Sequence, residues 1–197
     1  MKFIKPSFEI INQPGYNLAD IHKHIELCGR TCYKSTDKIT DDSASPFVER
    51  MIKSGHNAML EHGTVYLLMP SDEAFKYAFE SHSYLQNFKN NEQHFGKSAV
   101  TTNLRVIIEK KWQDDLQYLC EPIKGYHKLR VTVKFICNRQ VSHEFVRHRV
   151  FSFAQESTRY CNYTKDKFGS ELTFIKPRWL DGSKWYCKVA LKACFKC

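Results

Sequence analysis

The chain has 197 residues, enough for one domain with a core of its own. Apolar residues make up 42% and charged residues 26%, which fits a soluble globular protein, and the lack of an apolar run of about 18 residues excludes a membrane-spanning helix. The formal net charge of +9 points to an anionic partner without choosing among nucleic acid, nucleotide and membrane surface.

Four of the nine excess charges, Lys184, Lys188, Lys192 and Lys196, fall after Asp181 with no acid among them, leaving +5 for the rest. Charge alone is therefore a weak case for nucleic-acid binding. Met1 to Ile11 lacks an apolar run long enough for a signal peptide, so a cytoplasmic location with reduced thiols is expected for the eight cysteines. Cys28 and Cys32, and Cys194 and Cys197, are spaced like half-sites for zinc, but no compact second pair completes either, and no metal is expected.

Leu18, Ile21, Ile25 and Cys28 recur at helical spacing and predict a helix over 16–35, with Gly29 as a candidate end. A second helix is predicted over 45–55, with Ser45 as N-cap, Pro46 in the first turn, Glu49 as capping-box partner and Gly55 past the end. Thr64 to Met69 is β-branched and aromatic and predicts a strand that Pro70 stops. A helical pattern starts at Ser71, and Asn87 to Gln93 reads as a loop. A further helix is predicted from about Ala99 to Leu119, although Val100 to Ile108 also suits a strand. Leu129, Val131, Val133, Phe135 and Cys137 alternate as in a strand, and Arg139 to about Val150 follows as a helix. Polar chain runs on to Asp166, and Leu172 to Ile175 is a short apolar run ended by Pro177. This order lacks alternating strand–helix units, so an α+β domain is expected rather than a doubly wound sheet. No glycine-rich phosphate loop occurs.

The stretch His143 to Tyr160 concentrates the chemistry. Its arginines offer planar, permanently charged forks that grip phosphate, and its hydroxyls add neutral contacts. At about 100° per residue, a helix would put Glu144, Arg147 and His148 on one face and Arg149 about 200° from Arg147. Either the helix ends there, or the two arginines serve different ligands, which could lie in different subunits. Arg-His-Arg alone is more often a solvated basic face than a site. The whole string and its setting outweigh that reading.

Arg147-His148-Arg149, seven residues, then Ser157-Thr158-Arg159-Tyr160 resembles the motif of the flavin-dependent thymidylate synthase (ThyX) family. Gly55-His56-Asn57-Ala58-Met59-Leu60-Glu61-His62 resembles a second family segment, and Cys28 to Ser35 a third, in the right order. The resemblance covers roughly residues 20–180. It implies that family's fold, an α+β domain with an antiparallel or mixed sheet flanked by helices. One catalytic domain is expected over 1–182, with an insert at about 71–128. A basic, cysteine-containing tail at 183–197 matches nothing expected there, so the fold is read as truncated at its C-terminal end.

The resemblance implies methylation of deoxyuridylate (dUMP) to thymidylate. Methylenetetrahydrofolate would supply the carbon, and FAD reduced by NADPH the hydride, in a homotetramer. By motif position, His56, Arg147 and Ser157 are the catalytic candidates. Ala58, Glu61, Arg147, His148, Arg149 and Gln155 fall at cofactor positions, Ala58 replacing a common Thr and its hydroxyl. Glu144, Arg147, Gln155, Glu156, Ser157, Thr158 and Arg159 fall at the nucleotide, with Ser157 and Arg159 on its phosphate.

Plainer readings accompany these. A nucleophilic Ser157 would need an adjacent base, so positioning is expected of it. His56 could cap the turn after Gly55, and Glu61 with His62 could be a surface pair. Cys32 and Cys161 read as structural. Two other functions stand behind the enzyme. One is a non-catalytic nucleotide- or flavin-binding remnant of the family. The other, ranked third, is a basic nucleic-acid binder, which lacks any recognised motif. No membrane partner is expected.

Overall fold

The computed structural model describes residues 2–88, 94–157, 161 and 173–176. Helix α1 spans Leu18–Cys32, and the Asn17 side chain starts it by accepting from the Asp20 N–H at 2.9 Å. Its apolar spacing buries Ile21, Ile25, Cys28 and Cys32. Gly29 does not end the helix, as expected from the sequence, but lies inside it at a close approach. A Cβ there would sit 2.7 Å from Cζ of Phe47 on α2, which spans Ala44–Lys53.

Helix α2 starts one residue earlier than predicted. Ser43, not Ser45, precedes it, and the Ser43 hydroxyl is used across the helix pair, donating to Glu26 at 2.9 Å. The predicted capping box is therefore not the device that starts this helix. The other Glu26 oxygen accepts from Nε of Arg30 at 2.6 Å, and the Arg30 guanidinium lies 5.0 Å from the Phe47 ring centre. Both charges of this buried pair are thus partnered, as burial demands.

The largest sheet has the order β3-β5-β4, all antiparallel, from Thr64–Pro70 (β3), Tyr84–Asn87 (β4) and Lys97–Asn103 (β5). Its register pairs Thr64 with Asn103 and Pro70 with Lys97. The helix predicted over 99–119 is corrected here. The chain stays a strand to Asn103, whose side chain then accepts from the Val106 N–H at 3.1 Å and starts helix α4, Leu104–Glu109; a 3-10 turn follows at Gln113–Tyr118. Ala99, Val100, Thr101 and Thr102 are all buried, so this central strand shows no period of two. Leu104 and Ile107 join Ile21, Ile25, Phe47, Val48, Leu60, Val65 and Leu67 in the core. Residues within 71–128 therefore build the centre of the fold.

Between β3 and β4 lie α3, Ser71–Ala74, and a 3-10 turn, Phe75–Phe79. Two smaller sheets complete the strands described. β2, Ser7–Ile11, pairs antiparallel with β6, Thr132–Ile136, and β1, Lys2–Ile4, pairs parallel with β7, Thr173–Ile175. The fold is thus α+β, with small, mostly antiparallel sheets. Among the described residues no helix is long and apolar enough to cross a membrane.

Helix α5, Arg139–Phe145, follows β6 and is shorter than the predicted 139–150. The Val146 N–H still reaches the Ser142 carbonyl at 3.2 Å, but Arg147 and His148 donate only three residues back, to Glu144 and Phe145. The chain leaves the helix through these tighter turns. The alternation of Leu129, Val131 and Phe135 does not mark a buried face, since all three are exposed.

Replacing Gly29 by Ala is expected to cost roughly 1–3 kcal/mol through overpacking against Phe47. Urea unfolding would show it as a lower midpoint at an unchanged slope.

Candidate functional site

A cleft of about 470 Å³ opens where chain segments far apart in sequence meet. The end of α1 contributes Cys32 and Tyr33. The α2–β3 connection contributes Gly55 to Met59. Helix α4 contributes Arg105 and Glu109, and the loop after α5 contributes Gln155 and Ser157.

Local backbone geometry sets these positions. Gly55 follows the Ser54 cap with φ +71°. Its N–H reaches the Ile52 carbonyl at 3.1 Å, and the His56 N–H reaches that of Met51 at 2.9 Å. This pair of bonds is a Schellman ending, which favours glycine at the left-handed position. It delivers His56 to the cleft and leads into the 3-10 turn Asn57–His62. On the other wall, the Ser157 N–H donates to the Cys32 carbonyl at 2.9 Å, closing the loop onto the end of α1. The Gln155 amide donates to the Ser142 hydroxyl at 2.8 Å and ties that loop to α5.

An ion-pair chain crosses beside the cleft. Arg105 donates from Nη1 to Glu61 at 2.5 Å and from Nε to Glu109 at 2.8 Å, and Asn57 donates to the same Glu109 oxygen at 3.2 Å. Burial works to raise the Glu61 carboxyl, but hydrogen bonds from Ser152 and Arg105 and the Arg105 charge together hold it below its ordinary value. Burial pushes the Cys32 thiol up to about 11, and the backbone bond from Gln155 only partly offsets this. A thiol so placed is no nucleophile near neutral pH.

A second polar seam joins β6 to the core. His24 is 2% exposed, and its Nε2 lies 2.8 Å from the Thr132 hydroxyl. Burial, then the neighbouring His62 and Arg130, lower His24 to about 4. The Arg130 N–H donates to the Tyr66 hydroxyl at 3.1 Å, and its guanidinium reaches the Ser152 hydroxyl at 3.4 Å.

The residues singled out from sequence separate into groups. His56, Ala58, Gln155 and Ser157 line the cleft. Glu61 stands behind it, bonded to Arg105, rather than in a surface pair with His62. Glu144, Arg147, His148, Arg149 and Glu156 are exposed and do not line the cleft. Because α5 ends at Phe145, the helical-face argument for opposed arginines no longer applies, and the alternative that the helix ends first is the one observed. Thr158 and Arg159 lie outside the described residues. Arg105, Glu109 and Asn57 were missed. An Arg and a Glu four residues apart are a helical pair signal, but the mistaken long helix hid where that pair faces. Among the described residues no three His, Cys, Asp or Glu side chains gather as metal ligands would.

Residues 126–195 match the Thy1 family model, described as thymidylate synthase complementing protein. The family recognised in the sequence is the one matched. The match takes in β6, α5, Arg147-His148-Arg149 and Ser157, and runs into the basic stretch after 183. The segments that bring Cys32 and His56 to the cleft lie outside it. It supports a role in thymidylate synthesis in general. No curated protein and no solved structure matches the chain.

The depressed His24 gives a signed expectation. Its unfolded value lies above its folded one, so its contribution is full above the unfolded value of about 6.5 and is lost as pH falls toward about 4. Stability is expected to drop by about 1–2 kcal/mol from this group between pH 7 and pH 5. Denaturant unfolding at the two pH values should show that drop, and His24→Gln should flatten it.

Proposed function

We propose that this chain, which shares residues 126–195 with the thymidylate synthase complementing family, methylates dUMP to thymidylate, taking its carbon from methylenetetrahydrofolate. FAD reduced by NADPH would supply the hydride, and the protein's own groups bind and orient. The observation that carries this reading is the convergence of three separated segments on one cleft. Cys32 and Tyr33, His56 and Ala58, and Gln155 and Ser157 were grouped from sequence by resemblance alone, and they share its walls.

The donor set suits a planar ring. Tyr33 and Met59 give flat and polarizable surface, while His56, Asn57 and Gln155 give polar edges. The cleft holds the ring portion of a flavin or nucleotide better than a whole dinucleotide. Phosphates call for the arginines, and Arg147 and Arg149 stand exposed outside it. Ser157 is positioned by its backbone bond to α1 and holds nucleotide phosphate, together with Arg159. Gln155 orients the base, and His56 and Glu61 face the flavin side. Glu144, Glu156 and Thr158 complete the nucleotide contacts.

A homotetramer with sites shared between copies belongs to the same reading. Val141, Phe145, Val146, Val150 and Phe151 are exposed around the arginines, and a second copy would cover them. The thiols of Cys28, Cys32, Cys120, Cys137 and Cys161 are free, which accords with the cytoplasm as the compartment. A second reading, a flavin- or nucleotide-binding remnant without catalysis, draws on the arginines' position outside the cleft.

Purified protein given FAD is expected to retain a yellow flavin spectrum. With dUMP, methylenetetrahydrofolate and NADPH it should release tritium from C5-labelled dUMP. Flavin and dUMP binding without tritium release would favour the remnant, and no flavin absorbance after reconstitution would count against both. Ser157→Ala should weaken dUMP binding by about tenfold, the cost of one hydrogen bond to a charged oxygen, while flavin is retained. Equilibrium dialysis of dUMP would measure this.

A further inference from the structure

Two residues of α4 meet both ends of the turn that carries His56, Ala58 and Glu61. Near its start, Asn57 donates to Glu109. Near its end, Glu61 accepts from Arg105. Arg105 joins the two contacts, because its Nε also donates to Glu109. The turn, Asn57–His62, has only 3-10 bonds of its own, which are weaker than those of an α-helix. Its pitch is therefore set from outside.

Helix α4 is well placed to set it. Leu104 and Ile107 are buried in the core, Asn103 caps the helix, and the Leu104 N–H donates to the Gly63 carbonyl at 2.9 Å, just past the turn. A planar guanidinium held at two edges is fixed in orientation as an ammonium would not be.

We propose that Arg105 is a positioning residue of the cleft, clamping Glu61 and Glu109 so that the turn beginning at Asn57 presents His56, Asn57 and Ala58 to the bound ring. This rests on the ring-binding reading above for its ligand but not for its geometry. The groups facing Glu61 are Arg105 from α4, Ser152 after α5, Arg130 before β6, His82 before β4, and His62 beside it. Arg105 is the one that also reaches Glu109. Without it, Glu61 keeps its burial and loses its strongest compensating charge.

The test uses the full chain and two probes, the Glu61 carboxyl itself and FAD. In ¹³C-Glu-labelled protein, with the Glu61 signal assigned through Glu61→Gln, Arg105→Gln should raise the Glu61 titration midpoint by about one pH unit or more. Arg105→Lys should restore part of the shift, since the charge returns without the fork. FAD affinity should fall about tenfold in Arg105→Gln at neutral pH and gain a dependence on pH across the new midpoint. An unmoved Glu61 midpoint in folded Arg105→Gln would overturn the proposal, as would Lys and Gln variants that behave alike. If Arg105→Gln does not fold, Arg105→Lys serves instead. It keeps the charge and loses the fork, and should move Glu61 in the same direction by less; no movement would overturn the proposal. A wild-type chain that binds no FAD would sink the ring-binding reading, while the Glu61 titration still decides the role of Arg105.

Discussion

The close approach of α1 to α2 at Gly29 is the constraint on which the cleft depends. With no Cβ at Gly29, the Phe47 ring lies against the α1 backbone. The same ring carries the Arg30 guanidinium, whose partner Glu26 is reached from α2's start by Ser43. The two helices are thus joined by apolar contact and by a fully partnered buried pair. This fixes the last turn of α1, and that turn has a task beyond packing. Its Cys32 carbonyl is the acceptor that receives Ser157. A shift of α1 against α2 would move one wall of the cleft relative to the other.

The opposite wall is made differently. Gly55 turns the chain sharply at the end of α2, and from there the 57–62 turn runs into β3, the edge strand paired to β5. Apolar contact holds Leu60 and, in part, Met59 of that turn. The rest of its definition is electrostatic, through Arg105, Glu109 and Asn57. A site built half on packing and half on charge responds unevenly to its surroundings. Salt screens the exposed part of the ion-pair chain, while the buried Glu26–Arg30 pair of the α1–α2 seam is screened much less.

The sequence was informative where a local rule has one solution. Gly55 past a helix and the β-branched run Thr64 to Met69 needed only spacing, and the structure has both near where they are expected. It was least informative where burial is two-sided. Val100, Thr101 and Thr102 are buried on both faces of β5, so no polar alternation distinguished strand from helix, and the ambiguity was resolved the wrong way. The predicted helix contains α4 and Arg105 but begins within β5 and runs on past Glu109. The length of α5 failed for another reason. Periodicity continues through Arg149, but no tertiary contact rewards continuing the helix, and short helices depend on packing more than on propensity. Ser45 looked like a cap because Pro46 follows it, yet Ser43 was drawn into place by Glu26, a residue seventeen positions away.

The position of Arg147 to Arg149 follows from the same balance of forces. β6 and α5 are joined to the core mainly by polar bonds: Arg130 to Tyr66, His24 to Thr132, and the Ser157 and Gln155 contacts. Little apolar area secures them, as the exposure of Phe8, Val131, Phe135 and Val150 indicates. Segments held this way sit at the low end of a protein's local stability. Two arginines one residue apart, Arg147 and Arg149, would be poorly tolerated within a buried seam, and in their exposed positions they remain solvated. Their charge is then available to an anion that arrives with its own compensation. The arginines stand outside the cleft because a cationic cluster without its counter-charge is best solvated by water.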